Sequence, residues 1–127
     1  MPYTYHIDIE HELVVFKATG AFTTDILFTC LKDVTSDPKF KTTFNHLVDL
    51  RDVNSFPASS EDMHNRVELD NKMSDHLGAC KIALVSSNDI VFGMTRMYEM
   101  MMDNAPQTVK TYRDIEEAKN WLGTPKI

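Results

Sequence analysis

Polar side chains that could bind an anion or transfer a proton follow two apolar segments of the sequence. Asp49, Arg51 and Asp52 come at the end of one segment, and Ser86 and Ser87 follow the other. In open α/β sheets, ligands bind beyond the carboxyl ends of the strands, so these side chains are candidates for one rim. Asp49 and Asp52 could act as a carboxylate pair, and Arg51 could clamp an anion.

An enzyme is nevertheless the less favoured interpretation of this rim. Asp49 could equally hold its strand end in place by accepting backbone N–H groups. The sequence supplies no matched acid, base and nucleophile, and it lacks the glycine-rich and Gly-x-Ser-x-Gly patterns of nucleotide and acyl-transfer sites. We therefore predict no catalytic residue.

The histidines and cysteines do not form a metal or redox motif. On a predicted helix, only His64 stands four residues from a carboxylate, Glu68, and a third ligand is missing. Cys30 and Cys80 fall on apolar faces, as is typical of reduced core thiols. We expect no metal and no cofactor.

Two predicted helices carry side chains that a plain apolar core does not explain. On the second helix, Arg66 and Asp70 project into the apolar face, where they must pair. This helix is either a mobile lid or a loosely packed surface helix. On the third helix, Phe92, Met100 and Met102 lie off the core stripe, beside Arg96 and Glu99. They either form an adaptable contact surface or fill gaps at the edge of the core.

The composition limits the classes of partner. The 127 residues carry a net charge of -6 without a stripe of lysine and arginine, which argues against nucleic acid and anionic membrane surfaces. No window approaches the roughly 18 apolar residues of a transmembrane helix, and the N-terminus lacks the pattern of a signal peptide. We expect a cytoplasmic protein with a single domain over residues 1–127.

The order of the apolar patterns predicts an α/β fold. Strands are expected at Tyr3–Ile9, Leu13–Ala18, Asn45–Leu50, Ala79–Val85 and Gln107–Tyr112. About four helices are expected, beginning near Thr23 or Thr24, Ser59, Asn88 and Asp114 and ending near Ser36, His76, Met101 and Leu122. The order β-β-α-β-α-β-α-β-α implies a five-stranded mixed, mainly parallel sheet in which the first two strands are antiparallel.

Two strands organise this predicted fold. Asn45–Leu50 and Ala79–Val85 are apolar on both faces, which predicts parallel neighbours covered by helices on each side. Gly20 is expected to end the second strand. The third helix is expected to face the sheet with a stripe made of Ile90, Met94, Met97, Tyr98 and Met101.

Three segments carry a resemblance to a known family. VDLRDV at Val48–Val53, NDIVFGMTRMYE at Asn88–Glu99 and TYRDIEEAKNWLG at Thr111–Gly123 resemble the SpoIIAA-like family, which is related in fold to STAS domains. The resemblance extends over nearly the whole chain. It implies a SpoIIAA-like fold and, by analogy with STAS relatives, either a regulator that acts through a protein partner or a binder of a small or lipidic ligand.

The resemblance also points to Ser59 and Ser60. In anti-sigma factor antagonists, a serine at the start of the helix after the central strand is phosphorylated, and these two serines occupy the matching region. The glycine of that setting is replaced by Glu61, which with Asp62 would repel a phosphate. We favour Ser59 as the N-cap of the helix, with a phosphorylation or partner site at Ser59 or Ser60 as the alternative.

Two functions are expected from these observations. The first is a non-enzymatic SpoIIAA-like regulatory module that binds a protein partner or a second copy of itself. The second is a carrier of a small apolar or lipidic ligand, held between the second and third helices and the sheet. The candidate ligand or partner residues are Asp49, Arg51, Arg66, Asp70, Ser86, Phe92, Arg96 and Met100.

Overall fold

The computed structural model describes residues 3–56, 65, 68 and 77–124. Its strands are β1 (Tyr3–Asp8), β2 (Leu13–Ala21), β3 (Asn45–Ser55), β4 (Lys81–Val85) and β5 (Thr108–Tyr112). Its helices are α1 (Thr24–Ser36), α2 (Asp89–Met101) and α3 (Ile115–Leu122), which correspond to the first, third and fourth predicted helices. The predicted second helix, from Ser59 to His76, falls outside the described residues except at 65 and 68.

The strands form one sheet in the order β1-β2-β3-β4-β5. β1 pairs with β2 in antiparallel orientation, and the three other pairs are parallel. The two inner strands lie side by side, with His46 opposite Ile82 and Val48 opposite Leu84. The predicted mixed, mainly parallel sheet is therefore confirmed.

β2 and β3 are longer than their sequence patterns predict. β2 continues through Gly20 to Ala21, and β3 continues past Leu50 to Ser55. The register between them shifts after Lys17 and again after Gly20, which has a φ of 75°. Such bulges interrupt the two-residue alternation, so periodicity alone ends each strand too early. The prediction that Gly20 ends the strand is wrong.

Each described helix begins with a side-chain cap that the sequence indicates. The Thr23 hydroxyl accepts a hydrogen bond from the Ile26 amide at 3.2 Å, which decides between Thr23 and Thr24 as the cap of α1. Asn88 caps α2, and Asp114 caps α3. These caps satisfy amides of the first turn that have no partner within the helix.

The helices cover both faces of the sheet. On the α1/α2 face, Phe16 and Leu50 pack in one cluster with Cys30 of α1 and Val91 of α2. On the α3 face, a second cluster consists of Leu13, Leu47, Ala83, Val85, Ala118 and Leu122. Successive side chains of a strand point to opposite faces of the sheet, so β3 contributes Leu50 to one cluster and Leu47 to the other.

The face that α2 turns toward the sheet differs from the predicted stripe. Ile90 is 72% exposed, whereas Val91 and Thr95 are buried. Met102, just after the helix, is buried against Leu84, so it fills a gap in the core. Adjacent apolar residues allow more than one helical stripe, and tertiary contacts decide which one faces inward.

Candidate functional site

Asp49 and Arg51 form an ion pair with each other within β3. Arg51 Nε donates to Asp49 Oδ1 at 2.9 Å and Nη2 donates to Oδ2 at 2.8 Å. The Arg51 amide also donates to Oδ1 at 3.1 Å. Both side chains point to the same side of β3 because they are two residues apart. Both oxygens of the Asp49 carboxylate thus accept hydrogen bonds from Arg51 of the same strand.

The electrostatics of Asp49 fit this structural role. Burial raises the pKa of its carboxyl, but the hydrogen bonds and charge of Arg51 outweigh burial and lower the pKa below its ordinary value. Asp52 pairs instead with Lys17 at 3.4 Å on the exposed surface. Since the two aspartates have different cationic partners, they do not form the carboxylate pair that the sequence suggested.

Ser86 lies at the end of β4 but is fully buried. Its amide donates to the Tyr112 carbonyl at 3.1 Å, which joins β4 to the end of β5. Its hydroxyl oxygen has no hydrogen-bond partner among the described residues. A ligand arriving from solvent does not reach this hydroxyl without opening the strand ends.

Phe92, Arg96 and Met100 follow one another at four-residue intervals along α2. Phe92 is half-buried beneath the Arg113 guanidinium, which lies 4.2 Å from the ring centroid. Arg96 is exposed, and Met100 is 70% exposed. Of these three, Met100 is the large apolar side chain that solvent reaches most fully.

The remaining predicted site residues are not described. Ser59, Ser60, Arg66 and Asp70 all lie outside the described residues. Their predicted roles as a phosphorylation or partner site and as part of a helical lid stay predictions.

An apolar cavity of about 100 Å³ lies between the sheet and helices α1 and α2. Its wall combines strand residues with one side of each helix. Most of the lining side chains are aliphatic or aromatic: Val14, Phe16, Phe22, Leu31, Val34, Val48, Leu50, Phe56, Leu77, Ile82, Leu84 and Met94, together with Cys30, His46, Thr95 and Tyr98. Ligand sites of proteins are commonly concave and mostly apolar with a few polar groups, and the lining of this cavity has that composition.

His46 is a buried basic side chain in this wall. It is only 8% exposed, and its neighbours in register are Val14 on β2 and Ile82 on β4. Burial lowers the pKa of its imidazole to about 4, so the ring is neutral at pH 7. Nε2 has no hydrogen-bond partner in the described part of the chain. The Nε2 atom can therefore form one hydrogen bond with a ligand, as donor or acceptor according to the tautomer.

The sequence analysis did not select His46 as a site residue. The available signal was its place inside Asn45–Leu50, a segment otherwise interpreted as a buried strand. A polar side chain that alternates onto the inner face of such a strand must be paired or must face a cavity. Residue spacing alone does not distinguish these two cases.

The described residues give the cavity wall no cationic or anionic side chain. None of the described residues that line it is Lys, Arg, Asp or Glu. Among residues 3–56 and 77–124, no three His, Cys, Asp or Glu side chains are grouped so that they could hold a metal ion. The geometry can surround an apolar group with side chains and offer it the imidazole of His46.

The architecture defines a class of α/β protein in which a mixed five-stranded sheet carries helices on both faces. The model of the SpoIIAA-like family matches residues 13–123, and the chain belongs to this family. No curated protein matches the sequence. No helix in the described ranges is long and apolar enough to cross a membrane.

A solved structure supports the same fold. The chain is similar to a protein of Shewanella loihica PV-4 with a SpoIIAA-like fold, with a TM-score of 0.60 and 17% sequence identity. The similarity covers 94% of this chain and 93% of that chain. At this level of identity the comparison establishes the fold, and function rests on the site.

Proposed function

We propose that this SpoIIAA-like protein is a non-enzymatic binder of a small apolar ligand, which occupies the cavity between the sheet and helices α1 and α2. The observation that carries the proposal is the apolar, partly open cavity itself. Protein interiors are close-packed, and space of this size between a sheet and its covering helices lowers stability unless something fills it.

The volume limits the part of a ligand that fits. An engineered cavity of about 150 Å³ accommodates benzene. The cavity here measures about 100 Å³, so it takes a short alkyl chain, or a single ring after small side-chain movements. Met94 in its wall is unbranched and flexible, which suits such adjustment.

Phe56 and Leu77 both line the cavity. The ligand site predicted from the sequence lies beside the second helix, whose residues fall outside the described ranges except at 65 and 68. That part of the prediction stays a prediction.

Native mass spectrometry of the freshly purified protein tests the proposal. A binder should retain a molecule of low mass that is absent after denaturation and refolding. The variant Val48→Phe places a larger ring in the cavity wall and should lose the bound mass. Val15→Phe is the matched control, because Val15 is also partly buried on a strand but packs on the α3 face.

Two results would contradict the binder proposal. One is a protein that carries no ligand and gains no thermal stability from small apolar compounds such as toluene. The other is equal retention of a bound molecule by Val48→Phe and by the wild type, which would place the molecule elsewhere.

A second candidate function is a regulatory module that acts by self-association through α2. It is supported by the 70% exposure of Met100, since methionine suits adaptable protein contacts. Sedimentation velocity should then show a dimer that Met100→Glu dissociates. Ile90→Glu is the matched control, because Ile90 is 72% exposed near the other end of α2. A wild-type monomer at high concentration would exclude this function.

A further inference from the structure

His46 differs from Thr95, another polar residue of the cavity wall, because its Nε2 atom has no hydrogen-bond partner among the described residues. The Thr95 hydroxyl donates its proton to the Phe92 carbonyl at 2.8 Å, within α2. His46 Nε2, by contrast, has no partner among the residues described. Its nearest ring neighbour is Phe40, with centroids 6.1 Å apart, and a phenylalanine offers no conventional hydrogen bond.

An unpartnered imidazole at this position lowers stability without a ligand. His46 lies in a central strand between Val14 and Ile82, where an aliphatic residue would complete the row. Burying a polar group without a partner is unfavourable, and buried polar groups are normally paired. A ligand that supplies the missing partner removes this penalty and gains binding free energy from it.

We propose that His46 selects the ligand, and that the cavity takes a small uncharged molecule with an apolar ring or short chain and one hydroxyl or amide group bonded to the imidazole. A phenol is the simplest member of this class. The inference rests on the proposed function, since it concerns the same cavity.

The absence of charge on the ligand follows from the wall. None of the described lining residues is Lys or Arg, and a carboxylate would lose its hydration without gaining a cation. The imidazole supplies no positive charge either, because burial keeps the pKa of His46 well below 7. Fatty acids and aromatic acids should therefore be rejected as anions.

Three fluorinated probes of nearly equal size separate these contributions. 4-Fluorophenol carries the hydroxyl, fluorobenzene lacks it, and 4-fluorobenzoate carries a negative charge. Fluorine NMR titration of each probe gives a Kd for the wild type and for His46→Leu. His6→Leu is the matched control, because His6 is exposed on β1.

We expect 4-fluorophenol to bind the wild type and 4-fluorobenzoate to show no binding. The preference for 4-fluorophenol over fluorobenzene should fall about tenfold in His46→Leu, which is the effect of one net hydrogen bond. It should be unchanged in His6→Leu. His46→Gln, which keeps a donor and an acceptor, should restore part of the preference, and far-UV circular dichroism verifies that each variant is folded.

The outcomes distinguish the two proposals. If fluorobenzene and 4-fluorophenol bind and their ratio is the same in the wild type and His46→Leu, the role of His46 is refuted while the cavity remains a ligand site. If 4-fluorobenzoate binds more tightly than 4-fluorophenol, the uncharged class is refuted. If none of the probes binds the wild type, the proposed function fails, and the inference fails with it.

Discussion

Replacing His46 by leucine should remove most of the acid sensitivity that this residue gives to the folded protein. The side chain is 8% exposed, and burial lowers its pKa from 6.5 to about 4. Between these two pH values the unfolded chain binds a proton at His46 and the folded chain does not. The free energy of unfolding therefore decreases as the pH falls through this window, and it has its full His46 contribution above pH 6.5.

The magnitude follows from the difference between the two pKa values. At about 1.4 kcal/mol per pKa unit, the change from 6.5 to about 4 corresponds to a loss of about 3 kcal/mol in the wild type. His46→Leu lacks this loss. At pH 7 the variant should be as stable as the wild type or more so, since it replaces an unpaired polar group by an apolar one of similar size.

Urea unfolding at pH 7, 6, 5 and 4 measures this effect through the fluorescence of Trp121, the single tryptophan. The quantity of interest is the stability of His46→Leu minus that of the wild type, in which the titration of carboxylates cancels. It should grow by about 3 kcal/mol from pH 7 to pH 4. The exposed His6 provides the control variant His6→Leu, which should track the wild type. A constant difference for His46→Leu across this range would refute the burial of a neutral imidazole.

Two further predictions concern the strand and the turn beside it. Asp49→Asn should lower the free energy of unfolding by about 1–3 kcal/mol at pH 7 because Arg51 loses its paired carboxylate. This contribution should be present above pH 3.8 and disappear as the pH falls through the lowered pKa of Asp49. Equal urea midpoints for Asp49→Asn and the wild type at pH 7 would contradict the prediction. Gly78→Ala should be strongly destabilising, since its Cβ would lie 2.6 Å from Thr42 Cγ2 at a φ of +71°. Gly20→Ala has a similar φ of +75° but no atom within 4 Å, so thermal melts should show a smaller loss of about 1 kcal/mol, and equal losses would argue against the steric explanation.

The inner strands were predictable because their signal is local. A run such as Leu47 to Leu50 is apolar on both faces, and only a strand covered on both sides buries such a run. The helix caps at Asn88 and Asp114 were predictable for the same reason, since a cap involves residues two or three positions apart.

The rotation of α2 and the length of β3 were not predictable from periodicity. Ile90 and Val91 are equally apolar, yet one is 72% exposed and the other is buried. The choice depends on tertiary contacts of the helix, and one of them joins the Asn88 side-chain amide to the Asn54 carbonyl of β3 at 3.5 Å. Such a contact joins positions that are 34 residues apart, and a local window does not contain it.

The candidate site likewise has one part that is set by neighbouring residues and another that is set by contacts between distant ones. The Asp49 and Arg51 pair connects neighbours on one strand, so a structural role could be favoured from the sequence. The cavity beside His46 depends on space left between side chains of separate elements. The sequence gives the side chains that are present, but the packing between elements determines where a cavity remains.

The agreement between chain order and sheet order has a consequence for synthesis. Because the strands lie in the order β1-β2-β3-β4-β5, each one adds to the edge formed just before it. The nascent chain can extend its sheet as the ribosome delivers it, without inserting a late strand between two early ones. Assembly can then proceed from the N-terminal hairpin outward, and each parallel pairing closes one crossover connection between consecutive strands.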